Sequence, residues 1–310
     1  MTKRFQSIFF LFFLSLISVA SAQQSPKKTN EIPERLDNSL LWELSGKGIK
    51  KSYIFGTIHM ISENDYVLDE RTMKAIKKCK KMVMEIDISQ SLQTGMKLLA
   101  LSGMKGGKTL ADLISPEDYQ MVKTYFEKEA KSAEAKMMPF NMIEKWKPML
   151  LQSFLYQDMI EGSMKSYEME LLNIGSERKM KFDGLETVED QINVFEKIPY
   201  TDQAKALVEL IKEIKKDENS GKAEFKKLID LYLTQDIEGM VEMSGEEFLN
   251  DMENGEAELL TNRNQKWIPK IKNFSKDKPV FYAVGAAHLG GPNGILRLLM
   301  KEGYSLKPVK

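Results

Sequence analysis

Tyr53-Ile54-Phe55-Gly56-Thr57-Ile58-His59 and, far along the chain, Tyr282-Ala283-Val284-Gly285-Ala286-Ala287-His288 say nearly the same thing twice. Each is an apolar, strand-like run that reaches a glycine and sets a histidine three residues later. These are the only two histidines in 310 residues. A glycine after a strand reads as a sharp exit from the sheet, because it adopts backbone angles that other residues avoid. The histidine then sits at the carboxyl end of the strand, where open α/β sheets form ligand crevices. Two such strands side by side present two imidazoles to one point. Imidazole is both the commonest metal ligand and the side chain best suited to moving protons near neutral pH. A hydrogen-bonded structural histidine is the plain alternative for either one alone; a matched pair comprising every histidine favours chemistry.

Working outward from the first unit, residues 39–44 alternate as a strand, Gly46-Lys47-Gly48 breaks it, and residues 52–55 resume, which predicts a hairpin. Leu68, Thr72, Ile76 and Cys79 recur at helical spacing, and residues 82–87 form a short apolar strand carrying Glu85. From about 90 to 180 the pattern is mostly helical. Ser115-Pro116-Glu117-Asp118 is a helix start, with an N-cap serine, proline in the first position and acids in the first turn. A helix over about 140–161 is expected to bend near Pro148. Residues 179–183 read as a strand running into Gly184-Leu185-Glu186-Thr187. Residues 187–260 are again helical, with Gly221 and Gly245 as punctuation. Their Lys/Glu faces read as solvated surface and the recurring methionines as core filling. Arg263 and Trp267 lie on a helix ending near Ile271, residues 279–284 are the strand before His288, and a helix over 293–301 leads to an edge strand at 304–306. The expected fold is therefore α/β: a central, mostly parallel sheet built from two strand-Gly-x-x-His units, with large helical insertions between them.

The first residues read as a secretion signal: Lys3 and Arg4, an apolar run over 8–19, then Ala20-Ser21-Ala22 as a cleavage pattern. Residues 1–22 are thus expected to be a signal peptide, 23–38 a solvated linker and 39–310 a single domain, in an exported protein, periplasmic or secreted. No later stretch is apolar enough to span a bilayer. A single cysteine, Cys79, makes no internal disulfide, and its lysine-rich surroundings suit a helix C-terminus, so it reads as structural. With 45 basic and 45 acidic residues the charge is balanced, which argues against a nucleic-acid partner.

The Gly56-Thr57-Ile58-His59 and Gly285-Ala286-Ala287-His288 pair resembles the TraB/GumN family, which includes the Tiki metalloproteases, within a broader group containing erythromycin esterases and ChaN-like proteins. Met84-Glu85-Ile86-Asp87, Gly184-Leu185-Glu186-Thr187 with Gln191 after it, and Asn262-Arg263-Asn264 before Trp267 extend the likeness from about residue 40 to 308. The family carries Glu-Arg-Asn where this chain has Asn262-Arg263-Asn264, so no acid is present at 262. The resemblance implies a compact α/β fold with both histidines, Glu85 and Arg263 facing one cleft. In the Tiki members the activity it implies is metal-dependent proteolysis.

On this reading His59, His288 and Glu85 hold a divalent ion (Zn, Mn or Co), and Glu85 and Glu186 divide the roles of ligand and proton acceptor. Arg263 is the expected oxyanion stabiliser. The absence of an H-E-x-x-H helix excludes a zincin-type peptidase. Arg263 could instead simply pair with one of these acids, and Trp267 is expected to pack. Two alternatives stand beside the metallopeptidase: an esterase-like hydrolase in which His59 and Glu85 activate water without a metal, and a non-catalytic protein whose cleft binds a peptide or haem. A peptide or small molecule is the expected substrate.

Overall fold

Six strands form one sheet, and their order brings the repeated units together. The computed structural model describes residues 32–216, 218–244 and 255–310. The strands are β1 (Leu41–Ser45), β2 (Ser52–Thr57), β3 (Ile61–Ser62), β4 (Lys81–Ile86), β5 (Met164–Lys165), β6 (Lys181–Glu186), β7 (Val280–Gly285) and β8 (Ser305–Pro308). The large sheet runs β6-β4-β7-β2-β1-β8, and β3 pairs with β5 in a separate ribbon. The four strands β6, β4, β7 and β2 are mutually parallel, while β1 turns back antiparallel on β2 and β8 on β1. The expected α/β sheet is present, mostly parallel, with helices in its connections.

All six residues of β2 and five of the six in β7 are buried. Such unbroken apolar runs are what a central parallel strand needs, because helices cover both faces. Around them packs the main core, including Ile54, Met82, Val83, Phe281, Tyr282 and Trp267. A second cluster, with Leu110, Phe126, Leu151, Leu155, Leu207 and Ile211, lies in the helical stretch between β4 and β7.

Local signals set most element boundaries. Ser115 caps the helix Pro116–Thr124 by accepting from the Asp118 amide at 3.1 Å. Thr187 and Asp190 make the reciprocal caps that open the helix Val188–Phe195 directly after β6. Two expectations change. Pro148 does not bend a long helix: one helix covers Phe140–Ile143, and a new one starts with Pro148 at its first position. There a missing N–H costs nothing, whereas mid-helix it removes a hydrogen bond. Gly221 does not punctuate, because the helix Glu218–Leu233 runs through it, and Gly245 lies outside the described residues.

The glycines of the repeated units act by a different property from the one expected. Neither Gly56 nor Gly285 has a positive φ. What they supply is the missing side chain. A Cβ on Gly56 would lie 2.9 Å from Leu289 Cδ1 and 3.1 Å from the Ala286 Cα, so the two units approach closely only because position 56 is bare. Gly56→Ala is accordingly expected to destabilise the protein by about 1–3 kcal/mol through overpacking. Denaturant unfolding would read this, and an unchanged midpoint would refute it.

The expected signal peptide lies outside the described residues, as does the linker up to residue 31. From residue 32 the linker is anchored. Leu36 is buried, its amide donates to Glu238, and the buried Arg297 donates to the Pro33 and Glu34 carbonyls. Among the described residues no helix is long and apolar enough to cross a membrane. Cys79 caps the helix Glu70–Lys78, and burial pushes its thiol up to about 12. It should resist thiol reagents at pH 8 in the native protein and react once per chain in denaturant, a colorimetric thiol assay being sufficient.

Candidate functional site

Parallel pairing fixes where the site lies. Thr57 is opposite Gly285 on neighbouring strands, and Ile86 on β4 is opposite Glu186 on β6. Both histidines and both candidate carboxylates therefore leave the sheet at its carboxyl end. The helix Asn262–Phe274 closes the site, with Arg263, Asn264 and Trp267 buried on one face.

Arg263 is the centre of this arrangement. Its Nη2 donates to Glu85 Oε2 at 2.5 Å and to Glu186 Oε1 at 2.7 Å, and its Nε donates to Glu186 Oε2 at 3.2 Å. Its Nη1 donates to the Leu259 carbonyl at 3.0 Å and to His288 Nε2 at 3.1 Å. A guanidinium has five N–H groups, and all five are engaged. An oxyanion could take one of them only by displacing a present partner. The alternative in which Arg263 pairs with one acid is thus present, and it extends to both of them.

The two carboxylates are tuned apart. Burial acts to raise Glu85, but the Arg263 charge, the two imidazoles and the Gly285 amide together outweigh it, and the group is held down at about 2. Glu85 Oε1 also accepts the Gly285 amide at 2.7 Å, and Oε2 accepts Gln191 Nε2 at 3.2 Å. A side chain at 285 would crowd this contact, its Cβ lying 3.2 Å from Glu85 Oε1. Glu186 moves the other way. Burial raises it against the hydrogen bonds from Arg263 and from Trp267 Nε1, the latter at 3.2 Å. Trp267 is therefore more than packing: it donates to Glu186 while its ring centroid lies 4.5 Å from that of His288.

His288 has one defined tautomer. Asn264 Nδ2 donates to the Asn293 carbonyl at 2.9 Å, which turns Asn264 Oδ1 toward His288 Nδ1 at 2.6 Å. Nδ1 must carry the proton, and Nε2, facing a guanidinium donor, must carry the lone pair. Burial is the main cause that pushes His288 down to about 3, the Arg263 charge adding to it and the Glu85 carboxylate, 3.8 Å from Nε2, opposing it.

His59 differs in every respect. Its side chain is 73% exposed, at the rim rather than in the buried web. Its Nδ1 donates to Glu168 Oε1 at 3.3 Å, and Glu168 also accepts from the Thr57 hydroxyl at 2.9 Å and the Ser166 hydroxyl at 3.2 Å. The β3–β5 ribbon positions this pair: Ile61, two residues after His59, is opposite Lys165, three before Glu168. Glu168 occupies the first turn of the helix Tyr167–Glu177, where the helix dipole favours a negative charge. The hydrogen bond to Glu168 is the largest cause holding His59 above the ordinary imidazole value, at about 9. Sequence reasoning missed Glu168 because neither spacing nor motif links it to His59.

The donors for a divalent ion have suitable chemistry: both imidazoles have Nδ1 committed to an oxygen, which leaves Nε2 as the electron-pair face. They do not gather around an ion in this arrangement. Arg263 stands on the His288 lone pair and on Glu85, and among the described residues no group of three His, Cys, Asp or Glu side chains is placed to hold a metal. Beside Glu186 opens a cavity of about 290 Å³, whose lining includes Asp87, Gln90, Thr94, Gly184 and Thr187. A model of the TraB/PrgY/gumN family matches residues 40–308. No curated protein and no solved structure matches the chain.

Proposed function

The chain belongs to the TraB/PrgY/gumN family, and from that footing we propose that the cleft is the active site of an exported hydrolase that cleaves an acyl bond in a peptide or small polar ester. The observation that carries this reading is the contrast between the two histidines. One is locked neutral in a buried web; the other is exposed and held by a carboxylate. An exposed imidazole oriented through Nδ1 by a carboxylate is the arrangement that moves protons to and from a substrate.

In this reading His59 rests protonated and gives its proton to the leaving group, and it regains one from solvent, to which the attacking water releases its own. Glu168 keeps the ring oriented and stabilises the imidazolium. Glu85, ionised and fixed by the Gly285 amide, orients the attacking water through Oε1. The cavity beside Glu186, whose lining includes neither His59 nor Glu85, would hold a part of the substrate away from the cleaved bond. Arg263 keeps both glutamates in place as a positioning residue. The peptidase activity expected from the sequence is one form of this chemistry.

The full engagement of Arg263 favours a second reading, in which the rigid web only shapes a cleft that captures a peptide or haem without turning it over. One experiment separates the two. The purified protein is offered a panel of fluorogenic peptides and esters, with and without chelator, alongside His59→Ala. Turnover lost in His59→Ala supports the hydrolase; saturable binding without turnover supports the binder. Turnover that His59→Ala leaves at the wild-type rate removes the role given to His59.

A further inference from the structure

The site holds two buried carboxylates and a neutral imidazole around one cation, and that cation is part of the chain. We infer that Arg263 is the resident cation of this cleft, seated where a divalent ion would otherwise be held, so that an ion reaches His288 only if Arg263 releases it. This inference takes the cleft to be the reaction site proposed above, and it concerns which cation that site holds.

Three observations carry it. First, the lone pair of His288 is in use. Its Nδ1 proton is committed to Asn264, so Nε2 is the one atom able to ligate, and Arg263 Nη1 lies 3.1 Å from it. A nitrogen lone pair cannot serve a guanidinium proton and a metal together. Second, the same guanidinium bridges the carboxylates through Nη2, at 2.5 Å from Glu85 Oε2 and 2.7 Å from Glu186 Oε1. The planar fork of arginine suits this convergence, which a point charge would satisfy differently. Third, the seat is rigid. The Arg263 guanidinium lies over the Trp267 ring, 4.8 Å from its centroid, and Nη1 is tied to the Leu259 carbonyl one turn back in the same helical stretch.

Displacement is nevertheless electrostatically reasonable. Two carboxylates against one guanidinium leave the web short of positive charge, and an ion at His288 and Glu85 would supply it. Release would require Nη1 to give up His288 and Nη2 to give up Glu85. The Glu186 and Leu259 contacts could remain and hold Arg263 at the edge of the site. The two cations are thus alternatives at His288, and metal affinity should be set in part by the strength of the arginine's hold.

The test reads ion binding directly, independent of turnover. Cobalt(II) is titrated into the full chain at pH 7, with binding followed by visible absorption and calorimetry, in wild type, Arg263→Lys, and Arg263→Lys combined with His288→Ala. Lysine keeps a positive charge in the buried site but lacks the second arm. Arg263→Lys should bind cobalt at least about tenfold more tightly than wild type, and His288→Ala should cancel the gain. Equal affinity in wild type and Arg263→Lys overturns the inference. So does an absence of cobalt binding in both, which leaves the metal-free hydrolase untouched.

A second measurement uses wild type alone, should Arg263→Lys fail to fold. Zinc(II) is added while the Arg263 side-chain N–H signals are followed by nitrogen-15 NMR. Zinc binding should remove the signature of the Nη1–His288 contact. Zinc bound with that contact intact overturns the proposal.

Discussion

Arg263→Met is expected to cost the fold about 3–5 kcal/mol at neutral pH, with part of the loss returning in acid. The size follows from what is left behind. Glu85 and Glu186 are both buried, and each depends on the guanidinium for charge compensation. Breaking a buried ion pair from one side costs more than the pair ever contributed, because a bare charge remains in a weakly polarisable site. The pH dependence has opposite signs in the two proteins. In wild type Glu85 sits near 2, below its ordinary value of 4.5. The stabilisation it contributes is therefore complete above pH 4.5 and is lost as the pH falls from there toward 2. In Arg263→Met the largest influence still acting on Glu85 is burial, which raises it. A carboxyl raised above its unfolded value favours the native state once protonated, so the variant regains stability as the pH drops below neutrality. Guanidinium chloride unfolding at intervals from pH 7 to 3 would give both curves. Parallel curves would show that Arg263 does not compensate these carboxylates.

Much of this was legible in the sequence, for a physical reason. A buried parallel strand must be apolar on both faces, so residues 53–55 and 280–284 announce themselves as central strands, and their matched endings suggest that they share an edge. Helix caps at Ser115 and Thr187 are local chemistry and read directly. Glu85, Glu186, Arg263 and His288 were each picked out as single residues, and the structure brings all four into contact through Arg263. What could not be read was contact without a local signal. Glu168 reaches His59 across 109 positions, and Asn264 fixes His288 across 24. No periodicity carries such pairings. Nor does composition show why a glycine is required. Gly56 suggested a turn, but it is needed because Leu289 and Ala286 press against it. The sequence likewise marked both histidines as equals, whereas one is walled in and the other lies in solvent. That difference depends on a helix and a two-stranded ribbon that only the folded chain assembles.

The inequality of the histidines leads to the largest effect on activity. His59→Ala should lower kcat/KM by about 10²–10⁴-fold, the range for loss of a general acid or base, while stability changes little because the side chain is mostly exposed. Glu168→Gln isolates the mechanism more sharply. The amide can still accept from His59 Nδ1, so the ring keeps its orientation, but the charge that favours imidazolium is gone. In wild type the hydrogen bond to Glu168 holds His59 at about 9. A proton donor works while protonated, so the wild-type rate should hold through neutrality and fall as the pH approaches that value. In Glu168→Gln the fall should begin closer to 6.5, the unperturbed imidazole value. At pH 8 the variant would then be slower by roughly tenfold or more, and at pH 6 nearly equal to wild type. A group that merely packed beneath His59 would lower the rate by the same factor at every pH. A profile displaced downward without moving sideways would therefore remove the proton-transfer role from the pair.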